Sequence, residues 1–171
     1  VFKISQKKYY TLEQVKDKYP QGVQPETVAW IFNRIIAGLY PAHSFDVVHN
    51  CIIPSNVIIC PENHNAKIID WCYSGKNNGS VKAIVPKYKN FFAPEIFKDK
   101  AGSFASDIYM AAKCIQWISN DKLPQSISKF LNICLDSNPR NRIDNALDLF
   151  DRFKEVLFKE FGKPKFVEFK M

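Results

Sequence analysis

The 171-residue sequence contains little glycine and no long apolar run. Its six glycines are about half the share expected from an average composition of roughly 7%, which disfavours an all-β fold built on glycine turns. The longest apolar stretch, Ile108 to Ile118, has 11 residues and includes Lys113, so the sequence predicts no membrane-spanning helix. The first eight residues also lack the apolar core of a signal peptide.

Paired cysteines are missing as well. The five cysteines are odd in number, widely spaced and without a C-x-x-C motif, so they make a poor disulfide framework. Reduced thiols are typical of proteins inside a cell, and we therefore expect an intracellular protein, cytoplasmic or nuclear. The chain begins with Val1 rather than methionine, which favours a piece of a longer protein.

The composition that is present indicates one folded domain. Hydrophobic residues make up 46% of the chain and aromatic residues 14%, which argues against disorder, and the length is sufficient for a buried core. The formal net charge of +7 permits nucleic acid, an acidic protein or a membrane surface as partner, and selects none of them.

Proline and capping residues mark the first helices. Thr11 and Gln14 predict a capping box for a short helix that ends before Pro20. Pro25 predicts the start of a longer helix, which Pro41 is expected to end. This second helix has apolar residues at helical spacing along one face: Val28, Ile31, Phe32, Ile35, Ile36 and Leu39.

The rest of the chain predicts one small hairpin and three more helices. Apolar segments at 57–60 and 66–69 flank the five-residue loop 61–65, which is typical of a hairpin. No period holds over 71–90, which indicates a long functional loop. Helices are expected at about 105–118, 124–135 and 144–161. The predicted fold class is therefore mainly α with a small β hairpin.

Five motifs in a fixed order carry a family resemblance. They are His49-Asn-Cys-Ile-Ile-Pro-Ser-Asn56, Asp70-Trp-Cys72, Ala93-Pro-Glu95, Ser106-Asp-Ile-Tyr109 and Asn138-Pro-Arg-Asn-Arg142. The order resembles the C-terminal lobe of eukaryotic-type protein kinases, in which H-R-D-L-x-x-x-N precedes D-F-G and A-P-E. The resemblance implies one kinase-like C-terminal helical lobe over 1–171, with a hinge-like segment at about 1–10, a catalytic-loop-like segment at 49–56 and an activation-segment-like region at 70–95.

The same resemblance implies that the catalytic residues are not intact. Cys51 occupies the position of the base aspartate, Ile53 that of the loop lysine, and Asn50 that of the arginine that grips an activation-loop phosphate. A thiol with its usual pKa near 8.5 is mostly neutral at physiological pH. No G-x-G-x-x-G loop or V-A-I-K-like strand precedes these positions, so we expect the N-terminal lobe to be absent from this chain.

Two ligand positions survive in the resemblance. Asn56 and Asp70 would supply oxygen ligands to Mg²⁺ and so contribute to cofactor binding, but two ligands should hold the ion weakly. We expect no cofactor for the isolated chain, and Mg²⁺ with ATP only when an N-terminal lobe is present.

The remaining family positions are expected to be structural. His49 would brace the loop against Trp71, and Asp107 would accept backbone N–H bonds. Glu95 and Arg142 would form an ion pair.

A lysine-rich segment, defined as residues 71–94, suggests the partner. It contains Lys76, Lys82, Lys87 and Lys89 and neither Asp nor Glu, so it is suited to an acidic peptide or phosphate, while a merely solvated loop is the alternative. Self-association through an exposed interlobe face is also expected. A membrane is not expected as a partner, and nucleic acid is disfavoured because no recognition motif is present.

Two function classes remain open, with two weaker site hypotheses beside them. The chain is either a pseudokinase that acts as a binding or scaffold module, or the C-terminal lobe of a kinase completed by a missing N-terminal lobe. His49, Cys51 and Asn56 also allow a cysteine hydrolase. Cys60, His64 and Cys72 could join Cys51 on zinc, although their spacing matches no common zinc pattern.

Overall fold

A computed structural model describes residues 8–171 of the chain. Most of the hinge-like segment expected at 1–10 therefore lies outside the described residues. The helices are α1 (Leu12–Lys18), α2 (Pro25–Ser44), α3 (Pro94–Asp99), α4 (Phe104–Ser119), α5 (Gln125–Cys134) and α6 (Ala146–Phe161). The strands are β1 (Tyr10–Thr11), β2 (Val47–Val48), β3 (Val57–Cys60), β4 (Asn65–Ile68), β5 (Gly75–Lys76), β6 (Gly79–Ser80) and β7 (Ala101–Gly102).

Helix α2 is the centre of the core. It packs against α4 and α6 and against strand β4, because its apolar face matches the 3.6-residue helical repeat. Phe32 of α2 meets Phe153 of α6 edge to face at 5.0 Å between ring centroids, and both side chains are fully buried. The mainly α fold class with a small β hairpin is confirmed.

The predicted first helix is confirmed, whereas the predicted end of the second is wrong. Thr11 and Gln14 form the capping box of α1, with Gln14 N–H donating to Thr11 Oγ1 at 3.2 Å. Helix α2 continues through Pro41 for another turn and ends at Ser44. A proline inside a helix removes one hydrogen bond and crowds the carbonyl four residues earlier. Here the extra turn is held by its contacts, because Ser44 Oγ donates to the Pro41 carbonyl and the buried His43 stacks on Phe104 of α4.

The predicted hairpin is present with a shorter loop. Strands β3 and β4 pair antiparallel, and Cys60 already pairs with Asn65, so the loop has four residues rather than five. A 3₁₀ turn at Pro61–Asn63 followed by His64 in the left-handed conformation makes the tighter connection possible. Strand β1 pairs with the other edge of β3, which places the start of α1 beside the hairpin.

The region predicted as a long functional loop contains short elements. Strand β5 pairs with β2, and β6 pairs with β7, while 3₁₀ turns occupy Trp71–Tyr73 and Pro86–Phe91. Strands of two residues carry too few alternating positions to produce a sequence period, which is why the pattern was invisible. These pairings attach the lysine-rich segment to the rest of the fold.

The ten residues after α6 form no regular element but pack on the helical body. Phe169 is buried and stacks on Tyr19 at 5.1 Å, and Phe166 stacks on His64 at 4.1 Å. Across residues 8–171, none of the helices has the length and apolar character needed to cross a bilayer.

Candidate functional site

The start of the loop at 49–56 is hydrogen-bonded to one buried carboxylate on α4. Asp107 has no exposed surface, and its two oxygens accept the backbone N–H groups of His49 at 2.7 Å and Asn50 at 2.9 Å. The ring of His43 approaches the same carboxylate at 3.1 Å. Buried backbone donors must find acceptors, so Asp107 fixes the start of the loop through main-chain bonds.

The ring of His49 is held in one neutral tautomer. Its Nε2 lies 3.0 Å from the Ile69 carbonyl, which can only accept, and its Nδ1 accepts the Cys51 backbone N–H at 3.2 Å. Burial lowers the pKa of His49 below its ordinary value, although Asp107 and Asp70 act in the opposite direction. The ring also meets Trp71 edge to face at 4.5 Å. Both nitrogens of His49 are therefore engaged in holding the loop.

The Cys51 thiol lies inside the protein and is neutral at physiological pH. Its side chain has no exposed surface, and burial, reinforced by the charges of Asp70, Cys72 and Asp107, raises its pKa to about 12. The Asn56 amide donates to the Cys51 carbonyl at 3.0 Å and to the Cys51 sulfur at 3.5 Å. A neutral thiol cannot act as a general base near pH 7.

Two neighbouring positions also lack charge. Ile53 is 2% exposed and belongs to the main core. Asn50 is fully buried, adopts a positive φ of 65° and donates to the Tyr73 carbonyl at 3.3 Å. A Cβ placed on Gly102 would come within 1.7 Å of Asn50 Oδ1, so the backbone of β7 closes the space above this side chain.

Asn56 and Asp70 present oxygens suited to a hard cation. The Asn56 backbone carbonyl accepts at 2.9 Å from the N–H of Ile69, the residue that precedes Asp70. The Asn56 side-chain Nδ2 donates within the loop, and its Oδ1 accepts from Ser55 Oγ at 3.3 Å. Asp70 is exposed and adopts a positive φ of 63°.

These oxygens fit Mg²⁺ chemically, because oxygen ligands are what the ion prefers. Asn56 Oδ1 and the Asp70 carboxylate are the atoms that would hold it, and the ion would there neutralise phosphate charge. The described residues contain no group of three or more His, Cys, Asp or Glu side chains arranged to hold a metal. The weak two-ligand site stays a prediction.

Two exposed side chains flank the Asp70 carboxylate. Trp71 is 36% exposed and its indole N–H donates to the Ile68 carbonyl at 3.0 Å. Cys72 donates its thiol proton to Asp70 Oδ1 at 2.8 Å, and this bond raises the pKa of Cys72. One Asp70 oxygen is thus occupied by a neighbour in the same turn.

Glu95 and Arg142 form a two-point ion pair below the loop. Glu95 Oε1 and Oε2 accept from the two terminal guanidinium nitrogens at 2.6 and 2.9 Å. Arg142 is 5% exposed and also donates to the carbonyls of Asp136 and Ala105, while its guanidinium covers the Tyr109 ring. Every edge of the guanidinium has a partner, which is what allows this charge to be buried.

The comparisons with known proteins agree with this arrangement. A family model described as a protein kinase domain matches residues 4–117. The chain belongs to the protein kinase family. It is 26% identical over 107 residues to a MAP kinase kinase of Saccharomyces cerevisiae, covering 63% of this chain and 21% of that protein. It is 27% identical over 147 residues to calcium-dependent protein kinase 5 of Plasmodium falciparum, covering 76% of this chain and 25% of that protein. The chain thus spans a quarter or less of each of these relatives.

The four lysines of the kinase domain's lysine-rich segment are not equivalent. Lys82 donates to the Cys72 carbonyl at 3.0 Å, and Lys87 pairs with Glu13 of α1 at 2.5 Å. Lys76 and Lys89 are exposed, and the structure gives their ammonium groups no hydrogen bond or ion pair within residues 8–171. The sequence suggested a segment free of acid, but folding brings Glu13 to it.

The sequence did not predict three residues that contact the loop at 49–56 or the lysine-rich segment through long-range packing. Glu13, Tyr88 and His43 acquire partners 74, 75 and 64 positions away in the chain. Glu13 and Tyr88 meet between α1 and the 3₁₀ turn at Pro86–Phe91, and His43 meets α4. No local pattern marks such contacts, because they depend on how the helices pack.

The two weaker site hypotheses gain no support from the geometry. His49 Nδ1 bonds to the Cys51 backbone rather than to its sulfur, and the thiol pKa is raised, which is the reverse of an activated nucleophile. For zinc, Cys60 is buried, and His64 is stacked between Trp30 and Phe166 with its Nε2 2.6 Å from the Val167 carbonyl. His64 is engaged by the C-terminal residues instead.

Proposed function

We propose that this kinase domain is a binding module that does not transfer phosphate by itself. The observation that carries the proposal is the state of Cys51, a buried neutral thiol with a pKa of about 12 at the position that the family resemblance assigns to the base. A general base works best with a pKa near the working pH. Cys51 is about five units too high and has its sulfur turned toward Asn56.

The neighbouring positions favour the same proposal. Phosphoryl transfer depends on charges that position and neutralise the transferred group. Ile53 brings an apolar side chain where the family resemblance implies a lysine, and Asn50 is enclosed beneath Gly102. The loop is well ordered by Asp107, but its reactive positions carry no charge.

The surface that remains available favours an acidic partner. Lys76 and Lys89 are exposed on the lysine-rich segment, which contains no Asp or Glu of its own. Exposed positive charge attracts anionic ligands. We therefore propose an acidic peptide as the class of partner for this segment.

The first experiment is a thermal-shift titration of the chain with ATP and Mg²⁺. We expect no stabilisation, because Asn56 and Asp70 alone cannot hold a nucleotide. Asp70→Ala is the matched variant, since it removes an exposed ligand without touching the core. A saturable shift with a sub-millimolar midpoint that disappears in Asp70→Ala contradicts the proposal.

A second experiment restores the missing carboxylate. Cys51→Asp should give no phosphoryl transfer from radiolabelled ATP, because the loop lysine and a nucleotide clamp are still missing from the sequence. Cys51→Ser controls for the change of volume, and circular dichroism reports whether each variant folds. Transfer by a folded Cys51→Asp variant above the Cys51→Ser background overturns the proposal.

A second candidate function is the C-terminal lobe of an active kinase that another segment completes. The observation that favours it is the pair Asn56 and Asp70, whose side-chain oxygens are the kind of ligand that Mg²⁺ prefers. Both relatives named above are kinases several times longer than the matched region. Reading the coding sequence upstream of Val1 distinguishes the two: a glycine-rich loop with a strand lysine favours this second candidate.

A further inference from the structure

A carboxylate from α1 is bound by two donors of the lysine-rich segment. Lys87 Nζ lies 2.5 Å from Glu13 Oε1, and the Tyr88 hydroxyl donates to the same oxygen. These hydrogen bonds, that of Lys87 first, lower the pKa of Glu13 and keep its carboxylate charged. The contact joins residues 74 and 75 positions apart and is the ion pair that links α1 to this segment in the described part of the chain.

The two donors differ in how firmly they are held. Tyr88 is 7% exposed, and its ring packs edge to face on Phe91, which in turn packs on Trp117 of α4. The Lys87 side chain is 69% exposed and lies over the Tyr88 ring at 4.8 Å. Tyr88 is therefore a hydroxyl donor held by packing, and Lys87 is an exposed ammonium that lies over its ring.

Nothing in this arrangement requires that the carboxylate come from the same chain. An ammonium and a hydroxyl directed at one oxygen bind any carboxylate through charge-assisted hydrogen bonds. Glu13 is itself partly exposed, with 31% of its side chain accessible, and exposed ion pairs contribute little to stability. Replacing Glu13 by an external carboxylate should therefore cost little free energy.

We propose that Lys87 and Tyr88 form a binding site for a glutamate or aspartate side chain of an acidic peptide, and that Glu13 occupies this site in the free protein. The proposal rests on the acidic-peptide binding proposed above and adds the contact residues and their internal competitor. Lys89 is exposed on the same 3₁₀ turn as Lys87 and Tyr88, so a peptide with several acidic residues gains a contact that Glu13 does not make and can displace Glu13.

The test measures binding of a fluorescein-labelled poly-glutamate peptide by fluorescence anisotropy. Glu13→Gln should bind about two- to five-fold more tightly than the unaltered chain, which corresponds to loss of one exposed ion pair as competitor. Adding Lys87→Ala to Glu13→Gln should abolish the gain. Glu26→Gln, at an exposed position on α2, is the matched control for the loss of one negative charge.

The outcomes distinguish acidic-peptide binding from internal competition by Glu13. If the chain binds poly-glutamate but Glu13→Gln gains no more than Glu26→Gln, internal competition is wrong and acidic-peptide binding is retained. If none of the variants binds poly-glutamate, both are wrong. If a phosphoserine peptide binds and poly-glutamate does not, the site is not one for carboxylates. Thermal melting of every variant shows that the comparison is made between folded proteins.

Discussion

The buried and exposed sides of the loop at 49–56 are built in opposite ways. On the buried side, Asp107 receives two backbone N–H bonds and a histidine, and both His49 nitrogens are engaged. On the exposed side, Asp70 has one of its carboxylate oxygens bound by the Cys72 thiol. The side that sets the shape of the loop is held by these hydrogen bonds, whereas the side that would meet a ligand is exposed.

This difference shows that the fold does not depend on the catalytic chemistry. Cys51 and Ile53, which occupy reactive positions in the family resemblance, are instead members of the hydrophobic core. Full burial of an isoleucine side chain contributes roughly 1.5–3 kcal/mol to folding. Apolar residues at these positions thus stabilise a loop whose geometry Asp107 already dictates.

The largest expected effect on the buried side is loss of Arg142. Arg142→Leu should lower the free energy of unfolding by about 3–5 kcal/mol, because it leaves Glu95 without its partner in a site where the carboxylate is only 11% exposed. Arg152→Leu is the control, since Arg152 pairs with Asp148 on the surface of α6, and should cost no more than about 0.5 kcal/mol. Equal urea midpoints for the two variants would contradict the expectation that the buried ion pair contributes more to stability than the surface pair.

A smaller effect on the same side is a pH dependence caused by His49. Its pKa is lowered in the folded protein, so the unfolded chain takes up the proton first. The free energy of unfolding should therefore fall as the pH drops below about 6.5, by at most about 1.4 kcal/mol per pH unit, and level off below the folded pKa.

His49→Gln removes this titration. Urea unfolding of both proteins between about pH 7.5 and 5.5 provides the measurement. The stability advantage of the unaltered chain over His49→Gln should shrink as the pH falls. An advantage that is constant over this range shows that His49 is not held neutral by its surroundings.

The smallest effect concerns the exposed side and leaves stability unchanged. Asp70→Asn removes the carboxylate that accepts the Cys72 proton, so the pKa of Cys72 should fall and its alkylation by iodoacetamide should accelerate. Mass spectrometry follows the rate, with Asp151→Asn on α6 as the charge control. Cys51 should stay unmodified in both, and equal rates at Cys72 would rule out the thiol–carboxylate bond.

The order of motifs predicted most of the fold and the identity of the family. Residues with local signals were placed correctly, such as the capping pair Thr11 and Gln14, because a cap is made within one turn. The end of α2 was placed too early at Pro41, since the bonds that hold its last turn come partly from α4. The roles assigned to Asn56 and Asp70 stay predictions.

The sequence by itself determined that Cys51 and Ile53 replace charged positions, because residue type alone removes a carboxylate and an ammonium. Only the tertiary structure decided that burial raises the pKa of the Cys51 thiol to about 12, that Gly102 lies against Asn50, and that Glu13 reaches Lys87 and Tyr88. The physical reason is that desolvation, steric closure and ion pairing depend on distances between segments far apart in the chain, which packing sets.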